Sequence, residues 1–83
     1  MQIENTTDMA NRLKYNRIKD FLEARGISQT WLEKQIDKDF STVNAYCSQR
    51  LQPSLMVLDQ IGKVLSVALK DLITDQEERS CNG

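Results

Sequence analysis

Between residues 29 and 49 two short segments with apolar stripes flank three polar residues, and this interruption constrains the fold more than any other feature of the chain. Trp31, Leu32 and Ile36 fall at helical spacing before the break, and Val43 and Tyr46 after it. Asp37-Lys38-Asp39 is the break itself. Ser28 is placed to cap a helix over Gln29–Ile36, and Asp39 to cap another from Phe40 to about Gln49. Two amphipathic helices joined by so short a turn cross steeply around shared apolar contacts. Leu32, Ile36, Val43 and Tyr46 supply those contacts, and Trp31 is expected in the core with them.

The remaining pattern is also helical. A first helix is expected from Asn11 to Arg25, with Ile18, Phe21 and Leu22 on one face and Gly26 as its stop. After Arg50-Leu51-Gln52-Pro53, Ser54 caps a fourth helix whose Leu55, Leu58, Ile61 and Leu65 form a buried stripe. A last short helix, Leu69–Ile73, brings Leu69, Leu72 and Ile73 together. No segment alternates in the manner of a strand, so the expected class is all-α, a compact five-helix domain over residues 11–75. Residues 1–10 read as a loose arm and residues 76–83 as a polar, disordered tail. With 83 residues the chain holds one domain, and 40% hydrophobic residues with a single Pro place it among ordinary globular proteins.

Several function classes drop out. The chain has no His, which removes the commonest general base and metal ligand. Cys47 and Cys81 lack the number and spacing of a zinc site and read as free thiols of a reducing cytoplasm. There is no Gly-rich phosphate loop and no nucleophile with a base beside it, so the chain is not read as an enzyme, and no cofactor, metal or small-molecule ligand is expected. No apolar run approaches the roughly 18 residues of a membrane span, and the first ten residues do not resemble a signal sequence, so a cytoplasmic location is expected.

What remains is the outer face of the third helix. Ser41, Asn44, Ala45 and Ser48 form one stripe opposite the buried side, and the ten residues Phe40–Gln49 carry no charge. In a chain that is 28% charged, such a run has a chance of about 0.04. Exposed helix faces ordinarily carry Glu and Lys; this one gives up helix propensity for short donors and acceptors. A major groove rewards that exchange, because Asn can bond adenine in bidentate fashion, Ser can bond several base edges, and Ala can touch a thymine methyl. Lys38 before the helix and Arg50 after it stand where phosphates would lie, and Gln29 can offer amide donors to another. The same face would serve a protein–protein contact, and the residues alone leave both readings open.

Residues 17–73 resemble the Xre/Cro family of phage-repressor-like helix-turn-helix domains. The resemblance rests on Gly26-Ile27-Ser28-Gln29, on Leu32 and Ile36, on Val43 and Tyr46, and on Pro53-Ser54-Leu55. Three positions depart from the family pattern: Glu33 replaces an Ala, Asp37-Lys38 replaces a Gly and an aliphatic residue, and Cys47 replaces a Glu. The resemblance implies a left-handed backbone at Asp37, which Asp tolerates better than most residues. It implies base contacts from Phe40, Ser41, Asn44 and Ala45, with covering of the apolar turn as the other role open to Phe40. It implies phosphate contacts from Gln29, Ser48 and Arg50, with Lys38 and Thr42 as further candidates.

Two functions follow. One is a sequence-specific transcriptional regulator that binds double-stranded DNA as a homodimer on a roughly palindromic operator; a restriction–modification controller protein is one such solitary regulator. Its expected dimer surface is Val64, Val67, Ala68, Leu69 and Ile73, apolar residues left over once a small core is filled. The other is a helical interaction module that has lost DNA binding, which the acidic pI of 5.3, the net charge of −1 and the departures at Glu33 and Asp37 favour. That total conceals a partition, however. Residues 11–50 come to +3, while residues 1–10 and 51–83 each come to −2, so the half that would face DNA is locally basic.

Overall fold

A computed structural model describes residues 13–75. Helix α1 spans Ile18–Arg25, α2 Gln29–Ile36, α3 Phe40–Cys47 and α4 Leu55–Leu65, and a single 3-10 turn covers Leu69–Leu72. Among the described residues there is no strand, only one antiparallel bridge between Asn16 and Ile73.

The helix ends follow from local chemistry. The hydroxyls of Ser28 and Ser54 accept from the amides of Trp31 and Val57 at 3.0 and 3.1 Å, and the Asp39 carboxylate accepts from that of Thr42 at 2.9 Å. Gly26 closes α1 in the left-handed region, where Ile27 N donates to Leu22 O at 2.8 Å. Asp37, at φ 57°, turns the chain between α2 and α3 as the family pattern requires.

α2 crosses α3 and also packs on α4; α1 rests on α3, and the 3-10 turn closes on α4. Ile18, Leu22, Leu32, Ile36, Val43, Tyr46, Leu58, Ile61, Leu65 and Leu72 form the core, with Cys47 among them. All four residues expected at the α2–α3 crossing are buried there. Gly62 lies so close to the turn after α4 that a Cβ would stand 2.7 Å from Val67 O.

Five expectations are corrected. Among the described residues the first helix begins at Ile18, with residues 13–17 outside it, because the Asn16 carboxamide oxygen accepts from Ile18 N at 3.1 Å and diverts the backbone into an extended path; the expected start at Asn11 lies outside the described residues. That path is held by the bridge to Ile73 and by Thr74, whose amide donates to Tyr15 O at 3.1 Å. The third helix stops at Cys47 because Gln49 adopts φ 67°. The fifth helix is one 3-10 turn, since Ala68 and Ile73 on either side are extended and leave four residues between them, too few for an α-helical hydrogen-bond ladder. Leu55 is 66% exposed, because the first turn of α4 projects beyond the helices it would pack on. Trp31 is 39% exposed and lines a shallow cleft with Gly26, Ile27 and Ser28 in place of entering the core. The arm, the tail and Cys81 lie outside the described residues.

Candidate functional site

The outer face of α3 is framed at both ends. At its start the Asp39 carboxylate takes hydrogen bonds from the Thr42 hydroxyl and amide, which hold its carboxyl below the usual value. A fixed anion at a helix N-terminus stabilises the helix. It also repels other anions, whereas the exposed Arg50 guanidinium at the opposite end attracts them. Thr42 is thereby committed to its cap. Lys38 is exposed in the turn, and Arg50 is exposed just past the helix.

Along the face, Ser41 is exposed and Asn44, Ala45 and Ser48 are half-buried, so the stripe expected from spacing is present. Phe40 is 49% exposed and therefore does not cover the turn as a core residue; it sits on the surface at the head of the stripe.

Four of the expected contact residues are joined in one chain of hydrogen bonds. Arg50 Nη2 donates to Asn44 Oδ1 at 2.8 Å, and Arg50 Nε donates to Ser48 Oγ at 2.9 Å. Asn44 Nδ2 donates to Gln29 Oε1 at 3.1 Å, which ties α3 to the first residue of α2. Ser48 Oγ also donates to Ala45 O at 3.3 Å. Asn44 thus lies at the centre of the face with its side chain oriented before any partner arrives.

Several of the local positive charges are engaged within the protein. Lys14 pairs with Asp20, Lys19 lies 3.9 Å from Glu23, and Arg25 Nη1 donates to Leu65 O. Arg17 Nη1 donates to Asp71 O and Ile73 O at 3.2 and 2.9 Å. Lys34, Lys38 and Arg50 carry no ion pair among the described residues, and the last two flank α3.

Sequence reasoning missed the residues that hold α3 from behind. Asn16, 1% exposed, donates to Tyr46 O at 3.1 Å and to Gln52 Oε1 at 2.9 Å, and Gln49 wraps the Asn16 backbone. Periodicity carries no trace of a polar contact between residues 30 or more positions apart. Also missed was the exposed apolar group Leu51, Leu55 and Met56. Of the expected dimer surface, Val64, Val67, Leu69 and Ile73 pack partly against the chain's own core, and Ala68 is exposed.

Comparison with known proteins bears on the fold and the family. A crystal structure of a Bacteroides fragilis protein, described there as a candidate for DNA binding, is 35% identical to this chain. It covers 72% of this chain and 97% of its own, with a TM-score of 0.70. No curated protein matches. Residues 17–78 match the Cro/C1-type helix-turn-helix DNA-binding domain, and the chain belongs to that family.

Proposed function

We propose that this DNA-binding domain is a sequence-specific transcriptional regulator that acts as a homodimer on a roughly palindromic operator. The reading is carried by the uncharged outer face of α3, with Asn44 oriented at its centre and Arg50 at its rim. In it α3 enters the major groove, where Phe40, Ser41, Asn44 and Ala45 meet base edges. Gln29, Lys38, Ser48 and Arg50 run beside phosphates, and Thr42 follows through its place in the first turn. Two copies lie about 34–36 Å apart, one turn of the duplex. Val64, Val67, Ala68, Leu69 and Ile73 form the surface between them, using the parts that the core leaves uncovered. A regulator of this kind works in the cytoplasm of a bacterial or phage-infected cell, and a restriction–modification controller is one form it takes.

Selection of bound duplexes from a random library tests the reading. An enriched near-palindrome supports both readout and symmetry, whereas an enriched site without symmetry removes the dimer. The exposed Leu51, Leu55 and Met56 favour the second reading, an interaction module without DNA binding. No enrichment, with no salt-dependent affinity for random duplex, would establish that one instead. The interface is tested separately by Leu69→Lys, which shifts sedimentation toward monomer while far-UV circular dichroism stays helical; an unchanged dimer places the interface elsewhere.

A further inference from the structure

The hydrogen bonds on α3 fix which way its carboxamides point. A carboxamide presents either its oxygen or its NH2 to a neighbour, and the two orientations are sterically almost equivalent. Arg has five donors and no acceptor. The Asn44 atom 2.8 Å from Arg50 Nη2 is therefore the oxygen. That places the Asn44 nitrogen toward Gln29, and the Gln29 atom 3.1 Å from it must be an oxygen in turn. Arg50 is itself anchored by Nε on Ser48 Oγ at 2.9 Å.

We propose that Arg50 is a positioning residue which, through this relay, fixes the orientation of both the Asn44 and the Gln29 carboxamides and so determines which base the α3 face prefers. The inference rests on the DNA-reading function proposed above. In the relay Asn44 uses one N–H and one oxygen lone pair on its protein neighbours, which leaves one of each. One donor beside one acceptor is the complement of the N7 and N6–H2 edge of adenine, so the preferred base opposite Asn44 is adenine. Gln29, having given its oxygen to Asn44, keeps its NH2, a group suited to a phosphate oxygen. Without Arg50 nothing opposes rotation of the Asn44 amide, and Gln29 is released with it. The role differs from that of a phosphate contact, which would strengthen binding to every duplex alike.

Arg50→Met separates the two roles, because it keeps an unbranched stem reaching about as far as Nε and removes the donors. Arg50 is exposed, so the fold is retained. Nuclear magnetic resonance of the DNA-free protein is the first measurement. Arg50→Met moves the side-chain amide resonances of Asn44 and also those of Gln29, which makes no hydrogen bond to Arg50; an unmoved Gln29 overturns the relay whatever the protein binds. Second, the ratio of affinity for the library-selected duplex to that for random duplex falls about tenfold in Arg50→Met, and falls no further when Arg50→Met is added to Asn44→Ala. If selected and random affinities drop by the same factor, Arg50 is a phosphate contact only and the proposal is wrong, although the DNA-reading function stands. If the unaltered protein prefers no duplex at all, that function falls, and the base preference falls with it.

Discussion

Gln49 folds its carboxamide around the backbone of Asn16, donating from Nε2 to Asn16 O at 3.0 Å while its Oε1 accepts from Tyr15 N at 2.9 Å. The contact joins the residue just past α3 to the segment just before α1. Asn16 answers with its own buried side chain, which bonds Tyr46 O, Gln52 Oε1 and Ile18 N. Substituting Asn16→Leu keeps the branched shape and leaves Tyr46 O and Ile18 N unpaired in the interior. It is expected to cost about 2–4 kcal/mol in urea unfolding. A loss under about 1 kcal/mol would mean the partners find water or one another.

Gly62→Ala sets two effects of opposite sign against each other. In a free helix Ala gains about 1 kcal/mol over Gly. Here the added methyl meets Val67 O at 2.7 Å, a backbone atom held by its own turn, since Val67 N donates to Gly62 O at 2.8 Å. Overpacking costs about 1–3 kcal/mol, so clash dominates and the denaturation midpoint falls. A raised midpoint would show that the turn after α4 yields freely.

On DNA, Asn44→Ala is expected to cost about 1–3 kcal/mol on the selected duplex and far less on random sequence, as measured by fluorescence anisotropy. Equal losses on both would show that Asn44 reads no base. Lys38→Ala gives the contrasting pattern, with similar loss on both duplexes and a salt slope lower by about one.

Burial pushes the Cys47 thiol up to about 11 from its ordinary 9.0. Below pH 9 the thiol is protonated in both folded and unfolded chains, and its contribution to stability is complete. Between pH 9 and about 11 only the unfolded chain ionises, so that contribution declines as pH rises. The stability gap between the unaltered chain and Cys47→Ala should therefore narrow across this window in urea titrations; a constant gap refutes the assignment. In a Cys81→Ser background, native Cys47 should react with a disulfide reagent at pH 8 far more slowly than the urea-unfolded chain.

The α2–α3 crossing was legible because every signal for it is local. Ser28 and Asp39 cap within three residues, Gly26 stops a helix by its own backbone, and Leu32, Ile36, Val43 and Tyr46 repeat at the helical period. The contact face was legible as a stripe, and Ser41, Asn44, Ala45 and Ser48 do share it. The connections within it were not, since nothing in spacing says that Arg50 turns back to Asn44 or that Asn44 reaches Gln29, 15 residues earlier. The misplaced residues have the same origin. Leu55 has the right period but sits on the first turn of α4, Trp31 lies about 100° around α2 from the buried Leu32, and Asn16 abandons helix for partners far along the chain. Periodicity identifies which side of a helix is apolar, not where along its length a neighbour begins.

The bridge between Asn16 and Ile73, with Arg17 N on Leu72 O and Thr74 N on Tyr15 O, has a consequence during synthesis. The segment that anchors α3 is made before that helix, and its partners at residues 72–74 after it. At about 5–20 residues per second the ribosome completes α3 seconds before that clasp can close. A nascent chain halted short of Leu72 carries all of α3 but lacks the clasp that holds its base, so closure of the fold waits on residues 72–74.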